Sequence, residues 1–168
     1  IITDRKPFRH VYTGVDKTVK RALPLPILKR IKSLDLSRSP SLDYARDMFM
    51  MSFYLRGMSF IDMAFLKKTD LRNGHVTSRR RKTGQLLVIG WTKEMQLIHD
   101  KYPENKSDYL LPIIRMPGAN ERSTYRNAGY NINHSLKQIA ALTGVTIPLT
   151  LYVARHSWAS AAKAKGIP

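Results

Sequence analysis

The sequence predicts an α+β domain, mainly α-helical, with a small three-stranded antiparallel sheet. Three observations predict it. Two segments, from Ser41 to Arg56 and from Ser123 to Leu142, carry apolar side chains at helical spacing. Between them, Asn73-Gly74 and Lys82-Thr83-Gly84-Gln85 supply two hairpin turns. A chain of 168 residues with 43% hydrophobic content can bury one core, which allows one domain and an N-terminal appendage but not two domains.

Residues 1 to 20 are polar and basic, with Arg5, Lys6, Arg9, His10, Lys17 and Lys20 and no periodicity. They read as an interdomain linker or arm along a charged partner, or as a solvated tail. Pro24 and Pro26 lead into Ile27-Leu28-Lys29-Arg30-Ile31, a short helix with proline near its first turn and a basic polar face. Ser41 is expected to cap the core helix. Tyr44, Met48, Met51 and Leu55 form one stripe of it, and Phe49, Met50, Phe53 and Tyr54 cover much of the rest. Gly57 is expected to close this helix in the left-handed conformation. Ser59-Phe60-Ile61-Asp62 has capping-box form and starts a short helix carrying Ile61, Met63 and Leu66. Arg56 therefore emerges between two helices from an apolar neighbourhood and needs a partner, either Asp62 or an external anion.

Around the two turns, His75 to Arg81 and Leu86 to Trp91 complete a three-stranded meander. Its second turn carries Arg79, Arg80, Arg81 and Lys82, so a primary amine projects from a hairpin tip. The arginine run reads either as a solvated edge that discourages strand aggregation or as plain phosphate contact. Thr92 caps a helix through about Lys101, and Tyr109 to Ile114 is a short extended run interrupted by Pro112. In the Ser123–Leu142 helix, Ala128, Ile132, Leu136 and Ile139 fall in register, with Gly144 as its stop and His134 an ordinary surface or core histidine. Pro148 and Thr150 mark a loop stop and a helix cap. Arg155 then falls in the first turns of the last helix, where a guanidinium and the positive helix end can face one anion. Taken alone, Arg155 also reads as a surface arginine and His156 as a partly buried histidine.

Twenty-nine Lys and Arg against twelve Asp and Glu give a net charge of +17 and a pI near 10.4. Such an excess points to a polyanion partner, most often nucleic acid, with a membrane surface the weaker alternative. No apolar run approaches bilayer-spanning length and no signal peptide opens the chain. With no cysteine there is no disulfide and no thiolate zinc site, which suits a cytoplasmic protein. No His/Asp/Glu group has metal-site spacing, and no phosphate-binding glycine loop and no internal repeat occurs. No cofactor is expected.

Three stretches occur in an informative order: Tyr54-Leu55-Arg56-Gly57-Met58-Ser59-Phe60-Ile61-Asp62 after a buried helix, Arg81-Lys82-Thr83-Gly84 in a hairpin turn, and Arg155-His156 in a late helix. From about Arg21 onward the chain resembles the catalytic domain of the tyrosine recombinases, the phage-integrase family, particularly the integrases of conjugative and other mobile elements. The resemblance implies that domain's fold. It also implies roles. Arg56 and Arg155 would clamp the scissile phosphate and stabilise its transition state. Lys82 would protonate the leaving 5′-hydroxyl, and Asp62 would orient Arg56. Two departures stand out. Tyr152 occupies the position of the family's histidine, and a phenol, with a reference pKa of about 10, donates to phosphate but is a poor base near neutrality. The nucleophilic tyrosine is expected beyond Pro168.

The implied function is site-specific DNA recombination, integration or excision, by strand cleavage and rejoining through a 3′-phosphotyrosyl intermediate. Arg56, Lys82, Tyr152 and Arg155 form the expected catalytic set, lining one concave basic surface. Arg79, Arg80, Arg81 and His156 form the expected DNA-binding set. The implied assembly is a homo-tetramer on paired duplex sites, nucleoid-associated, with neither ATP nor metal required. The rival readings are a non-catalytic basic nucleic-acid-binding domain and a type IB topoisomerase-like enzyme without synapsis.

Overall fold

The computed structural model describes residues 21–118 and 120–167. The expected N-terminal arm, residues 1–20, lies outside them. In chain order the elements are α1 (Leu25–Lys32), α2 (Pro40–Tyr54), α3 (Phe60–Ala64), a 3-10 turn (Lys68–Asp70), β1 (Leu71–Arg72), β2 (His75–Arg79), β3 (Leu86–Gly90), α4 (Lys93–Asp100), α5 (Glu121–Thr143) and α6 (Leu151–Ala164). This is the expected helical domain with a three-stranded antiparallel sheet in the order β1-β2-β3.

Helix α2 is the centre of the core: α5 and α6 pack along it, with α1 and α4 on its remaining flanks. Met48, Phe49, Met50, Met51 and Leu55 are buried, and Ile132, Leu136 and Ile139 of α5 and Val153 and Ala154 of α6 meet them in one cluster. Helix α2 begins earlier than the sequence suggested. Pro40, not Ser41, opens it, because proline lacks the N–H that the first turn leaves unbonded and already has a helical φ. Ser39 takes the cap position without a side-chain bond.

Two charged side chains, Arg46 and Asp47, are buried at the edge of this core. The Arg46 guanidinium donates to the carbonyls of Ile31, Lys32 and Leu34 at 3.2, 3.1 and 2.8 Å, gathering carbonyls at and just beyond the end of α1. It also pairs with Asp43 at 2.7 Å and Asp47 at 3.1 Å. From α4 and the residues just after it, Lys101 reaches both carboxylates and the Tyr102 hydroxyl donates to Asp47. Three helices are thereby tied at one point.

In the sheet, the Asn73-Gly74 turn has φ of +51° and +74°, as a two-residue primed turn requires, and sets Arg72 opposite His75. The strands are shorter than expected: β2 ends at Arg79 and β3 at Gly90, so Arg80 and Arg81 belong to the second turn. Tyr109–Ile114 is not a strand. Pro112 can donate no ladder bond, and the segment runs through turns with one bridge, Lys67 to Tyr109, while Leu110, Leu111, Ile113 and Ile114 fill the core. Helix α5 starts two residues before the expected Ser123, capped by Asn120, whose side chain accepts from the Ser123 N–H. At α6, Thr150 holds the cap position but makes no capping bond; the first N–H, that of Leu151, donates to Asn133 of α5 at 3.0 Å. The Leu23 N–H donates to Ser157 of α6 at 2.9 Å and fastens the start of the domain to its last helix.

Candidate active site

The site begins where α2 ends. Gly57 N–H bonds to Ser52 C=O at 2.8 Å and Arg56 N–H to Phe53 C=O at 3.1 Å, the paired closure of a Schellman motif. The left-handed residue inside that closure is Arg56, with φ +58°, and not Gly57 as expected from the sequence. A non-glycine residue there costs about 1 kcal/mol. Gly57 follows at φ +70° and is needed for a second reason. A Cβ on it would lie 2.8 Å from the Arg155 Cα and 3.1 Å from its Cγ. The turn that presents Arg56 thus rests directly on the backbone of Arg155.

Arg155 is the fifth residue of α6 and half-buried. It lines a cleft of about 390 Å³ with Ser59, Ile61 and Asp62 from the start of α3 and with Arg80, Arg81, Lys82 and Thr83 from the second hairpin turn. Lys82 and Arg155 therefore face one cavity from elements more than seventy residues apart, and four cations in its wall meet the single carboxylate of Asp62. Larger cavities, of about 420 and 440 Å³, lie around Lys32, Met50 and Leu97 and around Lys68, His99 and Glu104; neither holds a residue of the expected set.

The expected Arg56–Asp62 pairing is absent: no ion pair joins them among the described residues, and Asp62 instead accepts from the Arg81 N–H at 3.4 Å. Arg56, like Tyr152, was expected to line the cleft and is not among the residues that do; its side chain is exposed and makes no ion pair among the described residues. Tyr152 is not among the residues lining the cleft. It is 54% exposed, and its ring meets His156, one turn along α6, edge to face at 4.7 Å. Within the expected DNA-binding set, Arg80 and Arg81 reach the cleft. Arg79 is used inside the turn, donating to the Gly84 carbonyl at 2.8 Å. Arg81 lies with its guanidinium 4.1 Å from the centroid of the Phe65 ring.

Sequence reasoning missed Thr83 and the lining role of Ser59. Ser59 was visible only as a helix cap, which it also is, accepting from the Asp62 N–H. Among the described residues no three His, Asp or Glu cluster to hold a metal ion, and no helix is long and apolar enough to cross a membrane. Chemically, guanidinium groups beside a mobile primary amine form a site for a phosphoryl group, with a proton donor at its edge.

The fold is that of the tyrosine recombinase catalytic domain. The chain superimposes on the lambda integrase catalytic core with a TM-score of 0.58 at 16% sequence identity, over 88% of this chain and 85% of that one. XerA recombinase gives 0.59 at 17% identity over 86% of this chain, and a lambda integrase dimer bound to a COC′ core site gives 0.59 at 15% over 91%. The chain spans only about half the length of those two, 51% and 56%. No protein-family model and no curated protein matches it in sequence.

Proposed function

We propose that this domain recombines duplex DNA by cleaving and rejoining strands through a 3′-phosphotyrosyl link. The observation that carries the proposal is the junction of Arg155 and Lys82 in one cleft, with the Arg56-Gly57 turn seated on the Arg155 backbone. In the proposed step a tyrosine oxygen attacks the scissile phosphorus, its phenolic proton passing to water, and the bond from phosphorus to the 5′ oxygen breaks. Arg56 and Arg155 balance the charge that builds on the non-bridging oxygens. The Lys82 ammonium gives its proton to the departing 5′ oxygen. The reverse attack by a 5′-hydroxyl reseals the strand, and the phosphodiester energy kept in the covalent link makes ATP unnecessary. The attacking tyrosine is assigned to chain beyond Pro168, and Tyr152 to phosphate binding. Duplex DNA is the proposed substrate, supported by the charge of +17 and by fold neighbours described as DNA-bound, with assembly as a tetramer on paired sites.

The test is covalent adduct formation by the full-length protein on a suicide DNA substrate that traps the cleaved strand. Arg56→Ala and Arg155→Ala should each lower adduct formation by roughly a hundredfold or more, the scale of losing one preorganised electrostatic contact, with much smaller changes in DNA affinity. Tyr152→Phe should have a milder effect and still form the adduct. A wild-type protein that binds DNA but never forms an adduct is a binding module. One that relaxes supercoils without joining two sites is topoisomerase-like.

A further inference from the structure

Lys82 sits in a turn of six residues, Arg80 to Gln85, and an exposed lysine at a hairpin tip has no fixed direction of its own. The contacts around Arg81 supply one. Its guanidinium lies 4.1 Å from the centroid of Phe65, and its backbone N–H donates to Asp62. The Phe65 ring is itself held: Tyr109 and Tyr125 meet it edge to face at 5.5 and 5.8 Å, from the loop after α4 and from α5. Phe65 and Asp62 belong to the segment that carries Ser59 and Ile61 into the same cleft.

Building on the proposed reaction, we infer that Arg81 is a positioning residue that clamps the hairpin through Phe65 and Asp62 so that Lys82 is held over the cleft facing Arg155. This is a different assignment from phosphate contact. A guanidinium engaged with an aromatic ring contributes to the geometry of the next residue, and the long backbone bond at the same residue, 3.4 Å to Asp62, restrains the turn in the same direction. The Gly84 N–H to Arg80 C=O bond at 2.7 Å and the Arg79 contact to Gly84 close the far side of the turn, leaving Arg81 as its link to α3.

Replacing the scissile 5′ oxygen by sulfur gives a leaving thiolate that needs no proton, because a thiol is far more acidic than an alcohol. Cleavage of that substrate is therefore independent of Lys82. Full-length Phe65→Leu and Arg81→Gln are compared with wild type and Lys82→Ala on matched oxygen and sulfur suicide substrates, with DNA affinity measured in parallel. Loss of one exposed cation–π contact should slow the oxygen substrate by about two- to fivefold. The sulfur substrate should be cleaved at the wild-type rate, with affinity unchanged, and Lys82→Ala should show the same pattern with a larger loss. Arg81→Gln alters an exposed side chain, so the test holds even if Phe65→Leu folds poorly, and Phe65→Tyr, which keeps the ring, should match wild type. Equal slowing on both substrates, or a loss that tracks affinity, overturns the inference and makes Arg81 a DNA contact. If Lys82→Ala also fails to recover on sulfur, the proton-donor role of Lys82 falls, and this inference with it. If wild type cleaves neither substrate, the proposed function itself is wrong.

Discussion

Gly57→Ala tests whether the two arginines are held by backbone contact. The added Cβ would sit 2.8 Å from the Arg155 Cα, and ordinary contact begins at 3.4 Å, so α6 and the turn must separate by about 0.6 Å (3.4 − 2.8). The atom in the way is backbone, which no rotamer change relieves. The left-handed φ of +70° adds about 1 kcal/mol for any L side chain. Gly74→Ala provides the matched control: its φ is +74°, but its Cβ would meet nothing within 4 Å. The control should lose about 1 kcal/mol of folding stability and keep its cleavage rate. Gly57→Ala should lose about 2–4 kcal/mol, and in the fraction that folds cleavage should fall by about ten- to a hundredfold, since misplacements approaching 1 Å carry that cost. Urea denaturation gives the first quantity and suicide-substrate adduct formation the second. Equal stability losses in the two variants, with cleavage by Gly57→Ala unimpaired, would refute direct seating of the Arg56 turn on Arg155.

Arg46→Ala should destabilise by about 3–5 kcal/mol, because it leaves buried Asp47 and part-buried Asp43 with Lys101 as their remaining cation and takes the donor from three carbonyls; a loss below about 1 kcal/mol in denaturant titration would show that the network carries little. Alkaline pH should also unfold the domain. Burial pushes the Tyr44 hydroxyl up to about 12, its partial offset from Arg115 notwithstanding, and burial with the Asp47 hydrogen bond pushes Tyr102 up as well. Burial opposes the Lys101 charge, but hydrogen bonds to Asp43 and Asp47 outweigh it and raise that pKa too. All three groups favour the protonated form in the folded state, so their stabilisation is complete below about pH 10 and is lost as pH rises through the folded values. Tyr44 alone accounts for about 2 kcal/mol by pH 12, a loss that Tyr44→Phe should not show; stability independent of pH from 9 to 12 would contradict this. DNA affinity should fall steeply with salt, each neutralised phosphate releasing about one counterion, and affinity indifferent to salt would contradict a binding surface built from phosphate contacts.

What could be read from the sequence is what local chemistry decides. Asn73-Gly74, Thr92 and the Gly144 stop were legible because each is set by residues within a turn of itself. The apolar stripe of α2 was legible because burial on most sides leaves an unmistakable run of Met and Phe. Tyr109–Ile114 misled because a buried apolar run has the same composition whether it pairs as a strand or fills a core as turns. Arg46 gave no sign of its role, since its partners at Ile31, Lys32 and Leu34 are backbone carbonyls that any sequence has. Arg81 looked like the rest of an arginine run, and only the position of Phe65, sixteen residues away, sets it apart.

The inversion at Arg56-Gly57 has the same origin and can be argued from magnitudes. Closing α2 requires a left-handed residue, and seating the turn against α6 requires a residue without a Cβ; the segment has one glycine for two demands. A left-handed arginine costs about 1 kcal/mol, and the exposed side chain is otherwise unconstrained. A Cβ at 2.8 Å from a backbone atom leaves no such compromise, because one element must move. The glycine therefore goes to the close approach, and the arginine takes the strained closure. Exchanging the two residues would relieve the strain at position 56 and create the clash at position 57. That double variant should fold less stably than wild type even though its helix ends on the residue that local propensity prefers.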